Sequence, residues 1–135
     1  MWLFTFAKTI ESNSRVDEID NDGDIDVYIV NLEDEGILLR NDKGNQNNWL
    51  ILNLTGKTCS RDAIGARVQL TAGGITQEAQ KKGGSGYLSQ NDPRLHFGLG
   101  SASVVDELII FWPSGKKQVL EQVDAGQILD VTEPD

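Results

Sequence analysis

A chain of 135 residues with 39% hydrophobic content is long enough to bury one core of its own. Its 21 acidic and 12 basic residues leave a net charge of −9, which excludes the basic face that nucleic acid or an anionic membrane surface requires. A single cysteine, Cys59, allows no internal disulfide and reads as a small buried hydrophobe, and no apolar run reaches the ~18 residues of a membrane helix.

The chain opens on "MWLFTFAKTIESNS". Its short apolar patch has neither the length of a signal-peptide core nor a basic lead, so the chain as given reads as soluble and without its own export signal. Next comes "DEIDNDGDIDVYIVN" (17–31), with six carboxylates around one glycine. A calcium loop places oxygen ligands at alternate positions and a glycine at the sharp turn. With Gly23 as the sixth position, Glu18, Asp20, Asp22, Asp24 and Asp26 fall on positions one, three, five, seven and nine. Position twelve is Ile29, and no helix signal flanks the loop, so this is not an EF-hand. The spacing predicts instead a hairpin loop, with Asp26 opening the strand that follows, and a Ca²⁺ ion to cancel the repulsion among the carboxylates. The alternative is a solvated acidic turn without metal.

Short alternating runs bounded by Gly, Asn, Asp and Pro predict an all-β domain. The candidate strands are "DIDVYIV", "GILLR", "NWLILNL", "ARVQLT", "ITQEAQ", "RLHFGL", "DELIIFW", "KKQVL" and "QILDV". "TAGGIT" predicts a tight hairpin, with Gly73 and Gly74 at positive φ, and "WPSGK" a type I turn. "KKGGSGYLSQNDPR" is a long polar loop. Nine short strands point to a β-sandwich, jelly-roll-like, with the domain boundary in residues 41–48: an acidic hairpin segment over 1–45 and a sandwich over 46–135.

Two family resemblances rest on these motifs. "DNDGDIDVYIVN" followed by "LLRNDKGNQNNWLILNLTG" resembles the end of an FG-GAP-type propeller repeat, of the calcium-binding kind. "SRDAIGARVQLTAGG", "GSGYLSQNDPRLHFGLG", "VDELIIFWPSGKKQVL" and "VTE" resemble an ASPIC/UnbV domain. The resemblance covers about residues 16–133 and implies an extracellular or cell-surface β-rich module without catalytic activity. It puts Asp20, Asp22, Asp24 and Asp26 on calcium-ligand positions, Asp24 through its backbone carbonyl, and Glu18 where the repeat usually has Asp. One repeat cannot close a propeller, so residues 1–40 are expected to dock on the sandwich or to form a homodimer.

Other residues carry weaker signals. His96 is the single histidine, and with Leu95 and Phe97 facing the core it falls on the opposite side of its strand as a structural hydrogen-bonding residue. Arg61 and Asp62 suggest a loop-bracing salt bridge, and "GGSG" at 83–86 lacks the Lys-Ser/Thr of a phosphate loop. No nucleophile–base pattern is visible, so the chain is expected not to be an enzyme; an uncharacterised hydrolase is the remote alternative. The expected function is calcium-dependent adhesion or binding of a glycan or protein ligand, with Trp49, Tyr87 and Trp112 as an aromatic platform. Its rival is a structural cap on a larger propeller-containing protein. In "VDELIIFWPSG", Leu108, Ile110 and Trp112 share one face of a strand and Ile109 and Phe111 the other, which fits either a central strand or a binding surface around Trp112.

Overall fold

The computed structural model describes residues 12–17, 19–31, 35–84 and 90–135. Ten strands appear among them: β1 (Ser12–Asp17), β2 (Asp26–Asn31), β3 (Ile37–Leu39), β4 (Asn48–Thr55), β5 (Arg67–Ala72), β6 (Ile75–Gln80), β7 (Leu95–Gly100), β8 (Val104–Phe111), β9 (Lys117–Asp124) and β10 (Gln127–Thr132). All nine expected strands form. The tenth, β1, precedes the acidic loop, where the sequence shows no alternation that predicts a strand. No helix among the described residues is long and apolar enough to cross a membrane.

The strands make three sheets, ordered β1-β2-β3, β10-β4-β7 and β6-β5-β8-β9. The second is mixed: β10 runs parallel to β4, and β7 antiparallel to it. The second and third sheets pack face to face as a sandwich. Leu50, Leu52, Leu54, Phe97, Leu99 and Val131 meet Val68, Leu70, Val105, Leu108, Ile110 and Trp112 in one apolar cluster. The period-two alternation of strand side chains selects these residues, since every second position points inward. Removing an isoleucine or leucine such as Ile110 down to Ala costs about 3 kcal/mol in a core of this kind.

Two turns fix the register as the sequence indicates. Gly73 and Gly74 take φ of 56° and 79°, the doubly left-handed pair of a type I′ hairpin between β5 and β6. In the β8–β9 hairpin the Gly115 amide donates to the Trp112 carbonyl at 2.9 Å, closing the four-residue turn. β8 is a central strand, lying between β5 and β9. That position settles Trp112, which is 3% exposed and donates its indole N–H to Gln118 Oε1 at 3.1 Å. A buried, hydrogen-bonded indole facing the opposite sheet belongs to the core, so the expectation that Trp112 stacks on a ligand is corrected. The aromatic ring that points outward from this strand is Phe111.

Cys59 is half-buried against the core cluster rather than fully enclosed, and burial raises its thiol pKa. Arg61 and Asp62 are both exposed, and among the described residues no ion pair joins them. The loop is braced instead by backbone bonds, Gly56 N–H to Arg61 O and Ala63 N–H to Ser60 O, both 2.8 Å.

Candidate functional site

The outer face of the β10-β4-β7 sheet carries the acidic loop. Trp49 and Ile51 of β4 and His96 of β7 lie on that face, because their neighbours Leu50, Leu52 and Phe97 point into the core. Ile51 is 1% exposed, which a solvated sheet face would not allow. Gly23 sits on Trp49, where a β-carbon at residue 23 would come within 1.9 Å of the indole nitrogen. Its φ of 96° also favours glycine, so both the turn and the close approach demand the missing side chain. The imidazole Nε2–H of His96 donates to the Gly23 carbonyl at 3.1 Å. Burial lowers the His96 pKa, against the hydrogen bond to Gly23, so the ring is held neutral in a structural role. Arg94 reaches Asn21 Oδ1 at 2.8 Å while its guanidinium pairs with Asp92 at 2.6 Å. The expected docking of the N-terminal segment on the sandwich is therefore seen for this loop.

Asp22, Asp24 and Asp26 turn carboxylate oxygens toward the chain's own amides. Asp26, 1% exposed, accepts from Asn41 N at 2.8 Å through Oδ1 and from Ile19 N at 3.3 Å through Oδ2. Asp24 Oδ2 accepts from Gly44 N at 3.0 Å, and Asp22 Oδ1 from Asp24 N at 3.1 Å. Residues 41–44 are thus bound to the loop. Gly44 is pressed against it as well, because a β-carbon there would lie 2.7 Å from that of Asp24. Asp26 opens β2 as the spacing predicts.

The remaining oxygen, Asp24 Oδ1, is buried and has no hydrogen-bond partner among the described residues. Burial, with Asp22 and Asp26 adding repulsion, raises the Asp24 pKa despite the Gly44 amide. Asp20 is exposed, and among the described residues no three His, Cys, Asp or Glu side chains converge as a metal cage. Glu18 and Tyr87 lie outside the described residues. Trp49 is half-buried and engaged with Gly23, so with Trp112 in the core the expected aromatic platform does not assemble.

Sequence reasoning missed a second buried carboxylate. Glu133, 2% exposed, accepts the backbone N–H groups of Lys57, Thr58 and Cys59 on Oε2 at 2.7, 2.7 and 3.0 Å, and the Ser114 hydroxyl on Oε1. Burial opposes its ionisation, but these donors prevail and hold the carboxyl far below its ordinary pKa. Lys116 closes the same corner through Thr58 Oγ1 and the Pro134 carbonyl, each at 2.9 Å, and Lys57 pairs with Asp135. The available signal was the acid in "VTE", placed just past the strand that carries Val131, where a polar residue needs partners.

Fold and site together define a class of protein: an all-β module in which a two-sheet sandwich carries a small hairpin sheet, keyed to it by an aspartate-rich loop. The model for ASPIC and UnbV proteins matches residues 56–135, and the chain belongs to that family. Cartilage acidic protein 1 from Xenopus tropicalis is 32% identical over 129 residues, covering 91% of this chain and 20% of the relative. The human protein of the same name is 36% identical over 124 residues, covering 87% of this chain and 18% of the relative. The chain thus spans about a fifth of the length of the curated relatives it matches. The Glu133 corner falls within the family match and the acidic loop outside it.

Proposed function

We propose that the chain acts as a non-catalytic extracellular module, in which the sandwich caps an FG-GAP-type repeat region and the β1-β2-β3 sheet is the end of that region. One observation carries this reading. Six of the nine large apolar side chains that stand exposed among the described residues, Ile19, Ile25, Tyr28, Val30, Ile37 and Leu38, cluster within residues 19–38, whereas Ile64, Ile75 and Val119 are scattered over the sandwich. Tyr28 pairs directly with Leu38 across β2 and β3, and Val30 follows two residues along on the same face. These three are 40%, 49% and 47% exposed. An apolar sheet face of this kind suits a neighbouring repeat better than water. Relatives about five times longer, and named for cartilage, support a larger extracellular setting.

The test is binding in trans. The human relative's chain without its matching segment, titrated onto this chain, should bind, and Leu38→Glu should weaken binding at least tenfold without lowering Tm. Absence of binding, or indifference to Leu38→Glu, would overturn the cap.

A second reading concerns calcium and is favoured by Asp24 Oδ1. A buried carboxylate oxygen without a donor, beside Asp22, fits a cation as its missing partner. Asp20, Asp22 and Asp24 would hold the ion, with Glu18 at the first position, whereas both oxygens of Asp26 already accept amides. The ion would add rigidity to the docked loop and no chemistry. Calcium-dependent adhesion to a glycan or protein ligand through another surface belongs to the same proposal.

A further inference from the structure

The outer face of the β6-β5-β8-β9 sheet sorts its charges by row. Arg67 pairs with Gln80 on one side and Phe111 on the other, and Phe111 pairs with Lys117. Gln69 likewise joins Glu78 and Ile109, and Ile109 joins Val119. Thr71 joins Thr76 and Glu107, and Glu107 joins Glu121. The face therefore has a basic row, an acidic row and a mixed row between them, in which Ile109 and Val119 are apolar and Gln69 donates to the exposed Glu78 at 2.9 Å; each step is about 7 Å along the strands.

Both charged rows are unrelieved. The Arg67 guanidinium and the Lys117 ammonium lie over the Phe111 ring, 5.4 and 5.8 Å from its centre, and neither has a carboxylate partner among the described residues. Glu107 and Glu121 stand directly opposite one another, and among the described residues neither has an ion-pair partner, an arrangement that destabilises a strand pair. The two rows are about 14 Å apart, so they cannot neutralise each other within one chain. Between them Val119 is 42% exposed beside Ile109.

From this pattern we infer that the face is the contact surface of a homodimer, its occupant a second copy of this chain. A two-fold axis lying in the interface, across the strands at the Ile109 row, reverses the order of rows. It sets Lys117 against the partner's Glu121 and Phe111 against the partner's Glu107. Arg67, one strand or about 5 Å aside, reaches the same partner glutamate. Ile109 and Val119 meet their own copies, as a self-complementary interface requires. Arg67, Lys117, Glu107 and Glu121 each gain an opposite charge, while Glu78, in the row on the axis, keeps its bond from Gln69 at 2.9 Å. An anionic or a cationic ligand would satisfy only one of the rows.

Sedimentation equilibrium of the full chain tests this. Wild type should show concentration-dependent mass rising from 14.8 kDa toward twice that value, with association at least tenfold weaker in 0.5 M than in 0.05 M NaCl. Lys117→Glu and Glu121→Lys should each weaken association at least tenfold, with thermal melts confirming that both fold. The double exchange should restore it to within about threefold, because the swapped charges again face each other. A wild-type chain that stays monomeric at 0.5 mM overturns the proposal, as does a double variant no better than the singles. Loss of dimer in Leu38→Glu but not in Lys117→Glu also overturns it, placing association on the β1-β2-β3 sheet.

Discussion

Glu133 and Asp24 are equally buried carboxylates in opposite surroundings. Glu133 collects three amide N–H groups and a hydroxyl, and its pKa falls. Asp24 has one amide on one oxygen, none on the other, and acidic neighbours, and its pKa rises. The count of donors, not the count of acids, separates a finished structural lock from a site with an unmet demand. In the chain's richest acidic motif one buried oxygen is left without a donor among the described residues, while Glu133, near the chain's end, is the better held.

Breaking the lock should have the largest effect. Glu133→Ala strands the amides of residues 57–59 in a buried corner and should lower Tm on the order of 10 °C. The pH dependence has a definite sign. The folded pKa lies below the ordinary 4.5, so the stabilisation is complete above pH 4.5 and is lost as pH falls below it toward the folded value. Glu133→Gln should therefore lose most at pH 7, and its stability should fall less steeply than wild type between pH 4.5 and 2. Parallel pH profiles by denaturant unfolding would refute the lock.

On the acidic side, Gly23→Ala forces a side chain into left-handed backbone and into the indole of Trp49. It should cost about 2 kcal/mol. Trp49→Ala should cost a similar amount, about 2 kcal/mol, through lost packing at a half-buried site. Because the added methyl collides with that ring, the double variant should be milder than the sum by about 1 kcal/mol. Additive losses in urea melts would show that Gly23 and Trp49 are not coupled.

The smallest effect sharpens the comparison most. With a Kd of about 1 mM, as extracellular modules show, ~5 mM Ca²⁺ adds about 1 kcal/mol, or roughly 3 °C in Tm. The rise should disappear in Asp24→Asn and survive in Glu133→Gln. An equal rise in Asp24→Asn would place the ion elsewhere.

Sequence periodicity determined the strands. Alternation in "NWLILNL", "ARVQLT" and "DELIIFW", together with the paired glycines of "TAGGIT", is a local signal that the backbone geometry enforces residue by residue. The face on which His96 lies was legible for the same reason. The Gly23-phased spacing correctly put Asp26 at the head of β2, because a turn and the strand it feeds are neighbours in the chain. Tertiary structure alone decided what lies on each face. Trp112 is core because β8 is flanked by β5 and β9 and roofed by the other sheet, and Trp49 is occupied because a glycine 26 residues earlier in the chain rests on it. Glu133 finds its amides 74 to 76 residues away. Donors that distant leave no periodic trace, since a hydrogen bond between remote segments depends on where the folded chain brings them and not on what stands beside either one.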